Sequence, residues 1–145
     1  MKRNAARRGF TLVEMLVVIA IVAVLVAVII PTTTSAVNKS KAAADAANLR
    51  SVLAEADILL LSNSDDGVLE QLKGNVPESK LHPGAEVYVV NNFPAFVEVY
   101  FVNGTDYYGV DYLSDVATNG KSTLSTAQPT GEGYDGNWVA LAQSE

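Results

Sequence analysis

Sixteen consecutive residues, Met15 to Ile30, are apolar. With Phe10–Glu14 in front, the run is long enough as a helix to reach about 31 Å, one hydrocarbon thickness. Pro31 closes it. Beyond lies "AVNKSKAAADAANLRSVLAEADILLLS", rich in the strong helix formers Ala and Leu. Here the pattern changes from uniform to periodic. Ala42, Ala46, Leu49, Val52, Leu53, Ala56, Leu59 and Leu60 recur at helical spacing, which predicts an amphipathic helix with one stripe to bury. Lys41, Asp45, Asn48, Arg50, Ser51, Glu55 and Asp57 fall largely on its other faces. "SNSDDG" at 62–67 stops the pattern. If the two stretches form one helix, Phe10 to Leu61 spans about 78 Å, too long for so small a domain to cover.

A third pattern follows. "EVYVV" (86–90) and "AFVEVYFV" (95–102) are β-branched and aromatic runs of strand length, separated by "NNFP". Alternation puts Phe96, Glu98 and Tyr100 on one face and Val97, Val99 and Phe101 on the other, and the second face is the one expected on the helix. Asn103-Gly104 signals a hairpin into "TDYYGVDYL" (105–113), read as a strand. "NWVALAQ" near the end reads as a last strand or a docked tail. Residues 63–85 read as a loop with a short helix in "DGVLEQLKG", and residues 118–137 as a second loop region. The expected fold is α+β: a long N-terminal helix packed on an antiparallel sheet of three to four strands. The expected divisions are 1–9, 10–31, 32–62 and 63–145.

Charge is unevenly placed. Lys2, Arg3, Arg7 and Arg8 precede the apolar run with no acid among them. Residues 10–145 carry the other six of ten basic residues and all sixteen acids, a net of −10. A body that acidic does not attract nucleic acid through its overall field. The basic cluster ahead of the span keeps the N-terminus cytoplasmic and sends the remainder across. No A-x-A site follows the run, as it would in an ordinary secretory leader. The chain has no Cys and a single His, so there is no disulfide, no thiol chemistry and no ready transition-metal set.

Glu14 is the anomaly. A charged side chain well inside a bilayer costs roughly 3 kcal/mol on insertion scales, so it needs a reason to stay. Snorkelling to the interface is the bland one. The context "RRGFTLVEML" supplies another. It resembles the class III signal of type IV pilins and their relatives, in which a short basic leader ends in Gly. The resemblance covers residues 7–31 closely and the following helix more loosely. It implies cleavage between Gly9 and Phe10 by a prepilin peptidase at the cytoplasmic face, with N-methylation of Phe10. It also implies that Phe10, Glu14 and Pro31 serve assembly into a helical homo-oligomeric filament by a platform in the inner or cytoplasmic membrane. The new α-amine of Phe10 then has a partner: Glu14 of a neighbour, which removes the cost of a lone buried charge and fixes register. Family filaments often carry a Gly inside the span where the helix melts on assembly. Ala23 stands there in this chain, which weakens the case for melting between Ala23 and Pro31.

Other candidates carry less. His82, in "KLHPG", reads as a surface loop residue. Glu132, Asp135 and Asn137 are oxygen ligands in the loop "GEGYDGN", weak candidates for calcium that Asp106, Asp111 and Asp115 could join; the spacing is not that of an EF-hand. A solvated acidic loop is the simpler reading, so no cofactor is expected. The six tyrosines read as core and sheet face rather than a ligand platform. "NKS" and "NGT" fit the glycosylation pattern, a machinery the leader does not imply. No P-loop, nucleophile elbow or Ser/His/Asp set appears, so no enzyme is expected. The leading expectation is a pilus subunit for adhesion, motility or surface interaction, membrane-anchored before assembly and extracellular after it. The alternatives are a pseudopilin of a type II secretion or DNA-uptake apparatus, and a monomeric membrane-anchored binding domain.

Overall fold

The computed structural model describes residues 10–63, 71–72 and 76–141. In chain order the elements are α1 (Leu12–Asn63), β1 (Glu86–Asn92), β2 (Phe96–Asn103), β3 (Asp106–Gly109), α2 (Val110–Asn119) and β4 (Trp138–Leu141). The chain divides into two compact units at Ser35/Ala36.

The second unit is a sheet on a helix. Its four strands are antiparallel in the order β3-β2-β1-β4. β1 and β2 pair from Glu86↔Val102 to Asn92↔Phe96. β2 and β3 close on Asn103↔Asp106, with Gly104 at φ 63 supplying the left-handed residue this two-residue turn needs. β4 returns to the free edge of β1, Val87↔Leu141 to Val90↔Trp138, so of the two readings of this segment the last strand is the one found.

The core forms where α1 meets the sheet. Ala46, Leu49, Val52, Ala56 and Leu60 pack with Val87, Val89, Val99, Phe101 and Leu141. Ala42 is fully buried, and Leu53 and Leu59 pack at the core's margin, so all eight residues of the periodic stripe are turned inward. Val99 and Phe101 face the helix as the alternation predicts.

Three expectations need correction. "TDYYGVDYL" is not one strand. It leaves the sheet at Gly109 and becomes α2, whose Leu113 and Val116 are buried and whose left-handed C-cap, Gly120, donates its N–H to the Val116 carbonyl. The Leu113 and Val116 pair at helical spacing, followed by Asn119-Gly120, is the signal that outweighs the β-branched and aromatic content. Lys39 Nζ donates to the Thr118 carbonyl and Arg50 to Ser114 Oγ, both at 2.8 Å, fixing α2 to α1.

Asp45 does not lie on a polar face. It is fully buried, because its carboxylate accepts from Ser79 Oγ at 2.6 Å, Lys80 N–H at 2.7 Å and Leu81 N–H at 2.9 Å. Those charge-assisted bonds offset its desolvation and clamp the loop before β1 onto α1.

His82 is not a surface residue. It is half-buried, its ring stacked on Tyr108 with centroids 3.7 Å apart and planes 4° from parallel. The short helix expected in "DGVLEQLKG" lies largely outside the described residues; of it, Leu72 is described and is buried in the core.

Candidate functional site

Among its described residues the first unit has no core of its own. Every large apolar side chain named from Phe10 to Ile30 is exposed, between 46% at Val26 and 80% at Leu12. Burying such a side chain is worth about 1.5–3 kcal/mol, so the surface is a strong driving force for association with something apolar. By length and composition this part of α1 can cross a membrane.

Its entrance is built by Thr11 and Glu14. Thr11 N–H and Thr11 Oγ1 both donate to Glu14 Oε2 at 2.8 Å, and Glu14 N–H donates to Thr11 Oγ1 at 3.2 Å. This is a reciprocal capping box. The helix starts at Leu12 because Thr11 satisfies one orphan donor of the first turn and Glu14 another. The T-x-x-E spacing was legible in "FTLVE" and gives Glu14 a local role that sequence reasoning overlooked. Glu14 Oε1 accepts from no described residue. Phe10 is 77% exposed beside it, while Gly9 lies outside the described residues.

At the other end of the apolar stretch, α1 continues through position 31. A proline there has no N–H to give the ladder. Three threonines follow and turn their hydroxyls back onto the helix. Thr32 donates to the Ile29 carbonyl, Thr33 to those of Ile29 and Ile30, and Thr34 to Ile30, at 2.8–3.1 Å. Hydroxyls satisfied in this way tolerate an apolar border.

In the second unit the calcium candidates are placed as follows. Glu132 and Asp135 are exposed, and the Asn137 side-chain amide donates to the Gly133 carbonyl at 2.8 Å. Among the described residues no group of three or more His, Asp or Glu is placed to hold a metal ion. The tyrosines are mostly sheet face: Trp138 contacts Tyr88, Tyr100, Tyr107 and Tyr134 on the side away from α1. Glu98 accepts from both Tyr100 and Tyr134 hydroxyls. Burial first, and then the Glu98 carboxylate, push the Tyr100 hydroxyl well above the usual tyrosine range.

No curated protein and no solved structure matches the chain. A family model, the prokaryotic N-terminal methylation motif, matches residues 4–30, the segment that holds Gly9, Phe10, Thr11 and Glu14. Residues 4–30 thus carry the class III prepilin signal of type IV pilins and pseudopilins, which supports a type IV pilin-like or pseudopilin subunit.

Proposed function

We propose that this chain is the structural subunit of an extracellular type IV pilus. Cleavage between Gly9 and Phe10 and methylation of Phe10 release a subunit that waits in the cytoplasmic membrane and then enters a helical filament through residues 10–31. The observation that carries the reading is a bare apolar helix, led by the methylation motif, with a carboxylate in its first turn.

The capping box supports a specific sequence of events. Cleavage after Gly9 leaves the Thr11 amide intact, so Glu14 keeps its two donors in the waiting subunit. Its free Oε1 then accepts the Phe10 amine of a neighbour in the filament. The charge is held in cis before assembly and neutralised in trans afterwards, and at no stage is it left without partners. The signal implies processing by the prepilin peptidase, and the processed subunit then meets an assembly platform in the inner or cytoplasmic membrane.

The deciding experiment is mass spectrometry of the protein sheared from cells. N-methylated Phe10 as the N-terminus of long surface filaments supports the proposal. The same terminus on protein that never leaves the envelope reassigns the chain to a pseudopilus. An uncleaved N-terminus overturns both readings in favour of a membrane-anchored domain.

A further inference from the structure

The second unit holds a cavity of about 570 Å³, lined by the second half of α1, β2, the start of α2 and the loop 124–129. Small-molecule sites span roughly 300–1,000 Å³. The cavity follows from the topology. β3 pairs with β2 only as far as Tyr100↔Gly109, and the chain then leaves the sheet as α2. Among the described residues, Phe96–Val99 of β2 therefore has no strand beside it on that side. The loop that covers the space is held in place: Tyr107 N–H donates to the Thr126 carbonyl and Thr126 Oγ1 to Asp106, both at 2.8 Å.

The lining mixes aromatic walls with convergent polar groups. The rings of Tyr100, Tyr107 and Tyr112 join Val99, Leu124 and Pro129 as apolar surface. Arg50 lines the same space, and among the described residues its guanidinium donates only to Ser114 Oγ. The Asp111 carboxylate and the hydroxyls of Tyr107 and Tyr112 have no hydrogen-bond partner among the described residues. Glu98 completes the set, already accepting from two tyrosines.

That chemistry selects a ligand class. Two carboxylates against one guanidinium disfavour an anion, and a simple ammonium meets the guanidinium. A neutral molecule fits if it donates and accepts in several directions and offers an apolar face to aromatic rings. We propose that this cavity binds a neutral pyranose sugar, its C–H face on the tyrosine rings and its hydroxyls bridging Arg50, Asp111 and Glu98. The site lies wholly within the second unit and does not depend on the filament reading.

The test uses the full chain in nanodiscs of zwitterionic phospholipid, because sugar-headed detergents would occupy the cavity. The probes are the methyl pyranosides of glucose, galactose and mannose, followed by saturation-transfer NMR and by shifts of labelled tyrosine rings. At least one pyranoside should receive saturation and shift Tyr107 and Tyr112. Asp111→Asn should weaken it about tenfold, the loss expected for one bond to a charged group. Ala127→Trp, on the exposed loop at the mouth, should abolish binding. Both variants are first matched to wild type in thermal unfolding; if either fails, Arg50→Gln replaces it. No saturation from any pyranoside overturns the proposal. So does binding that the variants leave unchanged, and so does preference for acetate or methylammonium over every sugar.

Discussion

The first half of α1 is apolar at every position from Leu12 to Ile30 but Glu14, the second half mixes apolar and polar positions, and their fates are opposite. Residues 12–30 expose their apolar side chains all round, whereas residues 42–60 bury one stripe of theirs, with Ala42 and Leu49 fully buried and Ile58 left outside it. The difference is periodicity. A helix that is apolar on every side cannot be covered by one sheet face; it needs lipid or several copies around it. A helix with one apolar stripe needs one partner, and β1, β2 and β4 supply it. A single helix thus has two solvents written into it, and the boundary falls at the proline and the three threonines that follow it.

The sharpest way to break this comparison is to remove the charge that the first half alone carries. Glu14→Ala should insert and be cleaved normally, since the span becomes more apolar and the Gly9-Phe10 junction is untouched. Filament incorporation should collapse, because each subunit buries an amine without its carboxylate, a cost of about 3–5 kcal/mol. Glu14→Gln is the informative control. It keeps a side-chain acceptor for the Thr11 capping box and loses the charge, so filament yield should fall nearly as far while the helix start survives. Shearing cells and comparing the sheared with the membrane fraction reads both. Normal yield from Glu14→Ala would reduce Glu14 to a helix cap.

Next in size is a substitution that strikes the second half alone. Leu49→Ala opens the centre of the core and should cost about 2–5 kcal/mol in unfolding of the body. Ile19→Ala, an equally apolar change in the first half, should leave that unfolding unaltered. Trp138 fluorescence during denaturant titration distinguishes them. A fragment beginning at Ala36 should give the same Leu49→Ala difference. A fragment that only aggregates would mean that the first half contributes to the body's fold after all.

Periodicity is also why so much was legible in advance. The apolar run, the eight-residue stripe, the inward face of β2 and the hairpin at Asn103-Gly104 all follow from patterns that a single stretch of sequence contains. What escaped depended on distant partners or on competing local signals. Asp45 looks like any surface acid until Ser79 and the Lys80 and Leu81 amides, some 35 residues later, close around it. α2 escaped because Tyr107 and Tyr108 carry β signal into a segment whose helical register only begins at Val110. The cavity escaped because it depends on where β3 stops. The capping box is legible in the T-x-x-E spacing of "FTLVE", beneath the stronger signal of a lone charge beside an apolar run.

A smaller effect sharpens the reading of the first turn. Thr11→Val removes both hydrogen bonds of the Thr11 hydroxyl, leaves the Thr11 N–H bonded to Glu14, and keeps the charge on Glu14. The helix start should lose about 1 kcal/mol, the usual value of a cap. Filament yield should fall far less than for Glu14→Gln. Hydrogen exchange of the Leu12–Glu14 amides, faster in Thr11→Val and near wild type in Glu14→Gln, separates the cap from the charge. Equal filament defects in the two variants would mean that the hydroxyl, not the charge, is what assembly requires.

The smallest expected effect is a pH response confined to the body. His82 is the sole histidine, so between about pH 5 and 8 the body has an imidazole to titrate and the span has none. Desolvation against Tyr108 pushes the His82 pKa below its ordinary 6.5, and the opposing pull of Asp45 and Asp106 does not overcome it. Its Nε2 is buried with no hydrogen-bond partner among the described residues, consistent with a neutral ring in the fold. The unfolded chain therefore binds the proton first. As pH falls through 6.5 toward the lower folded value, the unfolded state gains protons that the folded state does not, and stability drops. It recovers as pH rises back through 6.5. Denaturant midpoints for the body, taken from pH 7.5 down to 5.5, should decline in the wild type and decline less in His82→Phe, which keeps the stacked ring and cannot titrate. A wild-type midpoint that rises on acidification would mean that Asp45 and Asp106 dominate and that the folded pKa lies above 6.5. The helicity of the span should stay constant over the same range, since none of its side chains titrates as an imidazole.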